Sequence, residues 1–466
     1  MKVLKASELD MKEFHQRRAK LERTKEKVHE TVDLVKHKGD AAIIELTARF
    51  DKVTLKSIQV TQQEIDEATA RLPQDVKDAL KMCIDNVRRF HMSLRETPSE
   101  IRGEGIELGR IYVPLDSVGI YVPGGKANYP STVIMASVPA KAAGVRTIVV
   151  CTPPDKDGKV SDAVLVAAQL CGISSIFKVG GAQAIAAMAY GTQTVPKVQK
   201  IVGPGSMFVV AAKELVRDDV GLDFMAGPSE IVVIADETAN PAFVAADMLA
   251  QAEHDEDAMV VAITDHASLA KKIHEELLRQ LEEVPKKAIA SKSLEKNGYI
   301  ITVKDMDAAM DLSNEIGPEH LSLNVRSPRK LLEKVRNAGS VFMGDFSAVA
   351  AGDYATGPNH ILPTGGTAKY ISGLSVDDFL KKIPFQNVSK EELRKLSKTV
   401  VTMARVEGLE AHALSIDRRL DKVPPPAKPA DNGNKHKEQH PPAATHGPAK
   451  EHEREKAIER PRPKEK

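Results

Sequence analysis

Apolar residues recur at helical spacing in the first hundred residues of the chain. Val28, Val32 and Val35 fall on one face of one segment, and Leu80 and Val87 fall on one face of another. This spacing predicts amphipathic helices over residues 12–50 and 62–98. We therefore interpret residues 1–117 as a helical lead-in to the rest of the chain.

The pattern changes at residue 118, where short β-branched runs begin to alternate with helix-like stretches. The first series of runs is VGIYV, RTIVVC, SIFKVG and KIVG, and the second is EIVVIAD, AMVVAIT, GYIITV, LSLNV and GSVFMG. Such alternation is the βαβ rhythm of a parallel sheet covered by helices. We predict an α/β fold class with two tandem, incomplete Rossmann-like parallel-sheet domains, at residues 118–228 and 229–385.

The last part of the chain divides into a helical segment and a tail. Ser389 and Glu392 have the spacing of a capping box, so residues 386–423 are predicted to be a C-terminal helical segment, interrupted near Gly408. Residues 424–466 are rich in proline and hold almost no large apolar residue. Such a segment cannot bury a core, and it is predicted to be disordered.

Charge and cysteine content narrow the class of protein. The 466 residues carry 66 Lys and Arg against 65 Asp and Glu, a formal charge of +1, so no overall field attracts nucleic acid. The longest apolar run is far too short to cross a bilayer, and no membrane anchor is expected. Three cysteines offer neither a disulfide framework nor a CxxC metal site, which favours a reducing, cytoplasmic setting.

Glycine-rich turns follow several of the predicted strands. Examples are Gly124-Gly125, Gly180-Gly181 and Gly203-Pro204-Gly205, each just before a predicted helix whose amides suit a phosphate group. No GxGxxG is present, so these turns alone are better explained as ordinary tight connections between strand and helix.

Histidines pair with polar or acidic residues in four separate segments, all at the ends of predicted elements. Each pair alone has an ordinary structural explanation, such as a satisfied surface or core pair. GDYATGPNHILPTGG, which contains one of them, has the composition of a rigid loop. Four such pairs together indicate one site. They are Gln251 with His254, Glu319 with His320, Asp353 with His360, and Glu407 with His412.

Taken together, these segments closely resemble the histidinol dehydrogenase family. The resemblance runs from about residue 24 to residue 419 and includes the motifs YVPGGKANYPSTV, VGGAQAIAAMAYGT, MAGPSEIVVIADE, QAEHD, GPEHL, GDYATGPNHILPTGG and EGLEAH. It implies an NAD-dependent, zinc-requiring oxidation of L-histidinol to L-histidine through histidinal, the last step of histidine biosynthesis.

The resemblance also assigns roles to individual residues. Glu319 and His320 match the catalytic acid–base pair, and Tyr121 and Gln183 match positions that contact NAD. Ser206 stands where the family usually has an NAD-contacting asparagine, although serine is also a good helix N-cap. The zinc ligands, one ion per subunit, match Gln251, His254, Asp353 and His412. The substrate contacts match Ser229, Gln251, His254, His320, Asp353, His360, Glu407 and His412.

The chemistry of these residues agrees with the implied reaction. Zinc has no redox role, so we expect it to hold the substrate in place while two successive hydrides pass to NAD. His320 suits removal of the alcohol proton, and Glu319 suits activation of water on the aldehyde. The three cysteines lie away from every motif, which argues against a thiohemiacetal route.

The resemblance further implies a homodimer in which the C-terminal segment completes the zinc site of the neighbouring subunit. Two alternatives remain open at this point. One is a related zinc-dependent dehydrogenase of another small alcohol, against which Glu407 argues because its carboxylate suits a cationic substrate. The other is a non-catalytic zinc-binding scaffold, against which the presence of both Glu319 and His320 argues.

Overall fold

The computed structural model describes residues 1–9, 11, 19–95, 99–124, 128–224 and 227–421. The chain forms two compact units. The first comprises Met1–Arg102 and Glu107–Asn387, and the second comprises Gly103–Ile106 and the described residues from Val388 onward. Both predicted α/β domains fall in the first unit, and the predicted residue bounds of the domains remain predictions. The tail at 424–466 lies outside the described residues.

Sixteen α-helices are present among the described residues. They are α1 (Ala19–Lys38), α2 (Asp40–Phe50), α3 (Gln62–Arg71), α4 (Gln74–Ser93), α5 (Pro130–Ala143), α6 (Asp162–Leu170), α7 (Gly181–Tyr190), α8 (Met207–Val216), α9 (Pro241–Ala252), α10 (Ala267–Leu281), α11 (Lys287–Asn297), α12 (Met306–Ile316), α13 (Pro328–Leu332), α14 (Val349–Tyr354), α15 (Lys390–Val406) and α16 (Glu410–Arg419). Short 3-10 helices occur at Ala6–Glu8, Thr367–Lys369 and Val376–Phe379.

Fourteen strands are present among the described residues. They are β1 (Lys2–Lys5), β2 (Glu100–Gly103), β3 (Ile106–Pro114), β4 (Ser117–Tyr121), β5 (Thr147–Thr152), β6 (Ile176–Lys178), β7 (Lys200–Val202), β8 (Gly221–Leu222), β9 (Glu230–Ala235), β10 (Met259–Thr264), β11 (Gly298–Thr302), β12 (His320–Asn324), β13 (Ser340–Met343) and β14 (Leu380–Val388).

The first large sheet has the order β6-β5-β4-β7-β8, and its printed strand pairs are all parallel. Its side chains alternate between two cores. Val118 and Ile120 of β4 enter one hydrophobic cluster, while Tyr121 enters the other. Helices cover both faces of this sheet, so its strands have nearly continuous apolar sequences. This pattern is why the strands were predicted correctly.

The second large sheet has the order β1-β11-β10-β9-β12-β13, again with parallel pairing. Apart from β1, each sheet follows the order 3-2-1-4-5 of a Rossmann-type sheet without its sixth strand. Ile231 and Val233 of β9 face one core, and Val232 and Ile234 face the other. The prediction of an α/β fold with two incomplete Rossmann-like sheets is therefore confirmed.

The lead-in differs from the prediction, because residues 1–117 are not helical throughout. β1 pairs with β11 at the edge of the second sheet, with Val3 opposite Ile300. β2 and β3 join β14 in a separate three-stranded sheet of order β14-β3-β2. The side chains of β2 are all exposed, and β1 is a short, charged edge strand. These strands lack the alternating apolar pattern by which a sequence shows a half-buried strand.

The start of the C-terminal helical segment and the break within it were both predicted from the sequence. Ser389 accepts a hydrogen bond from the Glu392 amide, as predicted, but the Ser389 amide donates to the Gly105 carbonyl instead of to the Glu392 side chain. The predicted interruption near Gly408 is confirmed, because α15 ends at Val406 and α16 begins at Glu410. Gly408 has a φ of +73°, a left-handed conformation that suits glycine where a helix ends.

Cys83, Cys151 and Cys171 are all free and buried. Within the described ranges, no helix combines the length and the apolar character that a bilayer crossing requires.

One buried histidine in α4 generates a testable prediction. His91 is 1% exposed, and both of its ring nitrogens lack a hydrogen-bond partner among the described residues. Burial lowers the pKa of His91 to about 4, against an ordinary value of 6.5. The folded state keeps the ring neutral, whereas the unfolded chain takes up a proton as the pH falls below about 6.5. Protonation of His91 in the unfolded chain therefore lowers the free energy of unfolding of the protein as the pH falls.

We expect His91→Leu to reduce the loss of stability between pH 7 and pH 5 by about 2 kcal/mol relative to the wild type. Urea unfolding followed by circular dichroism at both pH values measures the two slopes. His37→Leu, which changes an exposed histidine on α1, is the matched control and should keep the wild-type slope. A wild-type slope in His91→Leu would contradict the assignment of a neutral buried ring.

Candidate active site

Glu319 and His320 lie at the amino end of β12, and both are buried. The neighbouring strand β9 holds them by its first residue. The Glu230 amide donates to Oε2 of Glu319 at 2.8 Å, and Nδ1 of His320 lies 3.0 Å from the Glu230 carbonyl oxygen. Because a carbonyl only accepts, Nδ1 carries a ring hydrogen, and when the ring is neutral Nε2 is the nitrogen that presents a lone pair.

The free nitrogen of His320 faces a carboxylate. Nε2 of His320 lies 3.6 Å from Oδ1 of Asp353. Nε2 is buried and has no hydrogen-bond partner within the part of the chain that the structure describes. A buried polar atom without a partner is costly, so this nitrogen marks a place where a ligand or water is expected.

Asp353 lies in a short helix and not in the rigid loop that the sequence predicted. It belongs to α14, where the Ala355 amide donates to the Ala351 carbonyl at 2.8 Å. The alanines that precede Gly352 favour this helical turn, and the loop begins only after it. The ring of Phe342, 5.9 Å from that of His320, packs directly over Gly352, where an added Cβ would collide with it.

Two further histidines surround Asp353. Nδ1 of His360 lies 3.0 Å from the Asp353 carbonyl oxygen, and the Asp353 carboxylate interacts electrostatically with His320, His360 and His254. Burial opposes the ionised form of Asp353, but these imidazoles outweigh it and lower the pKa of the carboxyl. The predicted proximity of Asp353 and His360 is thus present in the structure.

Burial and charge also shift the acid–base pair. Burial raises the pKa of Glu319 to about 7, although His320 and the Glu230 amide oppose the rise. For His320, burial disfavours the protonated ring, but the carboxylates of Glu319 and Asp353 outweigh that effect and raise the pKa to about 9. Both groups are therefore stronger proton acceptors than the same groups in water.

Gln251 and His254 do not share one helical face as expected. Gln251 is buried in the last turn of α9, whereas His254 follows the end of the helix at Ala252. The His254 amide donates to the Gln251 carbonyl at 3.3 Å, which closes a turn. Partial loss of contact with water lowers the pKa of His254, even though its side chain is exposed and lines a cavity.

That cavity lies between the two α/β halves of the first unit and has a volume of about 390 Å³. One wall comes from α4 and the start of α5, including Leu80 and Ser131, and the opposite wall includes His254, Lys286 and Tyr354. A cavity of this size accommodates a small molecule. Ser229, a predicted substrate contact, is half-buried just before β9, where its carbonyl accepts from the Met259 amide.

The predicted NAD contacts lie at the carboxyl edge of the first sheet. Tyr121 ends β4 and is buried, and its hydroxyl accepts a hydrogen bond from the Gly181 amide at 3.1 Å. Gln183 is buried in the first turn of α7. Ser206 occupies the N-cap of α8 as predicted, but its exposed hydroxyl accepts no hydrogen bond from the amides of that helix, so the expected side-chain cap is not formed.

Glu407 and His412 belong to the second unit. Glu407 follows the last residue of α15, and His412 lies in the first turn of α16, so the break between the helices separates them. Both side chains are exposed. Among the described residues, no three His, Cys, Asp or Glu side chains are arranged to hold a metal ion. Of the predicted zinc ligands, Gln251, His254 and Asp353 belong to the first unit.

The sequence analysis missed Glu230, whose main chain positions the acid–base pair. Its side chain is also used, since Oε1 accepts a hydrogen bond from the Gly365 amide at 2.9 Å. Thr364, also missed, accepts a hydrogen bond from the Gly227 amide. A charged residue at the head of the apolar run EIVVIA was the available signal for Glu230.

Two incomplete dinucleotide-type sheets, with the buried pair Glu319 and His320 beside a carboxylate and two further imidazoles, are typical of an α/β enzyme of the oxidoreductase class. Comparison with known proteins narrows this class. The family model for histidinol dehydrogenase matches residues 14–420, and the chain belongs to the histidinol dehydrogenase family.

Individual relatives agree with that membership. The chain is 50% identical over 395 residues to the histidinol dehydrogenase of Methanothermobacter thermautotrophicus, covering 84% of this chain and 92% of the relative. It is 49% identical over 399 residues to that of Archaeoglobus fulgidus, covering 85% and 96%. The crystal structure of histidinol dehydrogenase from Elizabethkingia anophelis matches with a TM-score of 0.86 and 39% identity, covering 90% of this chain and 98% of the other. The family comprises oxidoreductases that catalyse the last step of histidine biosynthesis.

Proposed function

We propose that this protein oxidises L-histidinol to L-histidine through histidinal, with two molecules of NAD and with zinc. The observation that carries the proposal is the buried Nε2 of His320, which faces Asp353 while Nδ1 is fixed on the Glu230 carbonyl. A base with one nitrogen anchored and the other unpartnered in a site is arranged for proton transfer.

The residues around Asp353 fit a zinc ion. A carboxylate, an imidazole and a side-chain amide are nitrogen and oxygen donors that zinc accepts, and they are available from Asp353, His254 and Gln251. His412 would complete the set. A zinc ion there would orient the imidazole and amino nitrogens of histidinol, and NAD supplies the acceptor for each hydride.

His320 and Glu319 have separate parts in the proposed reaction. Nε2 of the neutral His320 ring takes up the hydroxyl proton of histidinol as the carbinol carbon gives up its hydride. Because the neighbouring carboxylates raise the pKa of His320 to about 9, only the neutral fraction of the ring acts as this base. Oε2 of Glu319 is engaged by the Glu230 amide, which leaves Oε1 to draw a proton from the water that adds to histidinal. Ser229, His360 and Glu407 would contact the substrate.

NAD is proposed to bind at the carboxyl edge of the first sheet, beside Tyr121, Gln183 and Ser206. Tyr121 is buried at the end of β4, and Gln183 is buried in the first turn of α7. The hydrogen bond from the Gly181 amide to the Tyr121 hydroxyl joins these two elements. The Ser206 hydroxyl is exposed and is not used by its own helix, so it is available to a ligand. Ligands of open parallel sheets bind at this edge.

A homodimer is supported by the second unit. Leu396, Val400 and Met403 lie at helical spacing on α15 and are all exposed, as are Val406 and Leu409 beyond them. An exposed apolar stripe of this kind is typical of a surface that another subunit covers. We propose that a second copy of the chain covers it and receives His412 and Glu407 into its site. The three buried, free thiols support a reducing cytoplasmic location.

The central experiment counts NADH formed per L-histidinol consumed by the zinc-loaded protein. Two NADH per histidinol are expected, because oxidation of an alcohol to a carboxylate removes two hydrides. Treatment with a chelator should abolish turnover, and added zinc should restore it. One NADH with accumulation of histidinal would show an alcohol dehydrogenase without the second step, and absence of NADH from the zinc-loaded protein would refute the proposed function.

The two bases can be separated by supplying histidinal directly. Glu319→Gln should lower turnover of histidinal by about 100-fold or more while slowing formation of the aldehyde from histidinol much less, because only the second half needs activated water. His320→Asn should impair both halves. Glu315→Gln, which changes an exposed carboxylate on α12, is the control and should behave as the wild type. Equal losses in the two halves for Glu319→Gln would contradict the division of roles.

The shared site is tested by mixing two variants that each fail to form histidine, under conditions that exchange subunits, with histidine formation as the measured activity. His412→Ala and Glu319→Gln together should recover about a quarter of wild-type activity, since half of the random dimers are mixed and each mixed dimer has one intact site. Glu319→Gln mixed with His320→Asn should recover nothing, because both changes fall in the same unit. Failure of the first pair to recover activity, with mixed dimers shown by mass spectrometry, would refute a shared site.

A further inference from the structure

A lysine and an aspartate form an ion pair that is almost completely buried. Lys213 of α8 and Asp223, which follows β8, are joined through Nζ and Oδ1 at 2.6 Å, and their side chains are 2% and 1% exposed. Burial raises the pKa of the Asp223 carboxyl, and Lys213 and the Gly203 amide oppose that rise. Removing two charges from water is costly, and apolar residues of similar size would often stabilise the fold as well or better.

Both members of the pair also hold the main chain of Gly203. The Gly203 amide donates to Oδ2 of Asp223 at 2.7 Å, and Nζ of Lys213 donates to the Gly203 carbonyl at 2.7 Å. The Asp223 carboxylate thus holds the amide of Gly203, and the Lys213 ammonium holds its carbonyl. Charge-assisted hydrogen bonds of this kind are stronger and more directional than neutral ones.

The turn that is held in this way lies close against β4. Gly203 has a φ of +115°, and an added Cβ would collide with the Tyr121 carbonyl oxygen. Tyr121 in turn contacts the Gly181 amide through its hydroxyl. The turns after β4, β6 and β7 are therefore linked at the carboxyl edge of the first sheet, and Gly203-Pro204-Gly205 leads directly to Ser206.

We propose that Lys213 and Asp223 are positioning residues for the dinucleotide: the pair presets the Gly203–Ser206 turn so that the amino end of α8 and the Ser206 hydroxyl meet the cofactor. Neither side chain reaches the cofactor itself. The inference rests on the proposed NAD-dependent function. On this inference, the buried ion pair contributes to the affinity for NAD and makes little net contribution to the free energy of unfolding.

The test compares stability with cofactor binding in three variants. Lys213→Met removes the ammonium and leaves Asp223 unpaired, so it should lower both the melting temperature and NAD affinity. The double variant Lys213→Met with Asp223→Leu replaces the whole pair by apolar side chains and should recover the melting temperature. It leaves Gly203 unanchored, so the dissociation constant for NAD should stay raised by about tenfold or more, with KM for histidinol within about twofold of wild type.

Lys200→Met provides the matched control. Lys200 lies on the same strand as the turn but at its opposite end, where it donates to Asp378. This variant removes a partly buried ion pair and only the smallest of the electrostatic contributions to Asp223. It keeps both anchors of Gly203 and should therefore leave NAD binding unchanged. Calorimetric titration of NAD and thermal melting supply both quantities, and the double variant decides the question even if Lys213→Met alone does not fold.

The outcomes separate this inference from the function on which it rests. Wild-type protein that binds no NAD would refute the proposed function. Wild-type protein that binds NAD, together with a double variant that binds it equally tightly, would overturn the positioning role alone. A raised dissociation constant in the double variant with a recovered melting temperature would support the positioning role, because a purely structural pair would lose or recover both together.

Discussion

The register between β9 and β12 is the constraint on which the candidate active site depends. His320 pairs with Ile231, which places the Glu230 peptide group beside Glu319 and His320 at the edge of the sheet. A slip of one residue would turn every side chain of β12 to the opposite face. Ile231 and its neighbours in β9 are completely buried, so the packing of the sheet fixes this register. The orientation and tautomer of His320 thus follow from the hydrophobic core.

The two sheets contribute opposite edges to the chemistry. The acid–base pair lies at the amino end of β12, whereas Tyr121 and Gly203 lie at the carboxyl ends of their strands. Only the first sheet therefore follows the usual rule for ligand sites in open parallel sheets. One wall of the cavity comes from the chain just after β4 of the first sheet. Another wall comes from His254 and Tyr354, which belong to the half of the unit that holds the second sheet. Such an arrangement would separate the proposed positioning of NAD from the proposed proton transfer.

The sequence predicted the parts of the fold whose physics is local. Buried parallel strands and their covering helices have strong apolar patterns, and both sheets were predicted correctly from them. The exposed strands β1 and β2 and the half-buried strand β3 have no such pattern and were missed. The pairing of Glu319 with His320 was visible as a motif, but Glu230 was not, because its function depends on a strand pairing about 90 residues apart in sequence. Asp353 was expected in a loop because GDYATGPNHILPTGG is rich in glycine and proline, but the helical turn ends at Tyr354, before most of those residues.

Two buried carboxylates, those of Glu230 and Asp223, have one function in common in this protein. Glu230 begins a fully buried strand, and Asp223 lies beneath a helix, yet each carboxylate accepts the amide of a glycine with positive φ, namely Gly365 and Gly203. A glycine in that conformation is free to take many others in the unfolded chain, so fixing it needs a strong, directional partner. An apolar residue can fill the same space, but it cannot hold an amide. The cost of burying these carboxylates is therefore explained by the main-chain geometry that they impose next to the two candidate binding regions.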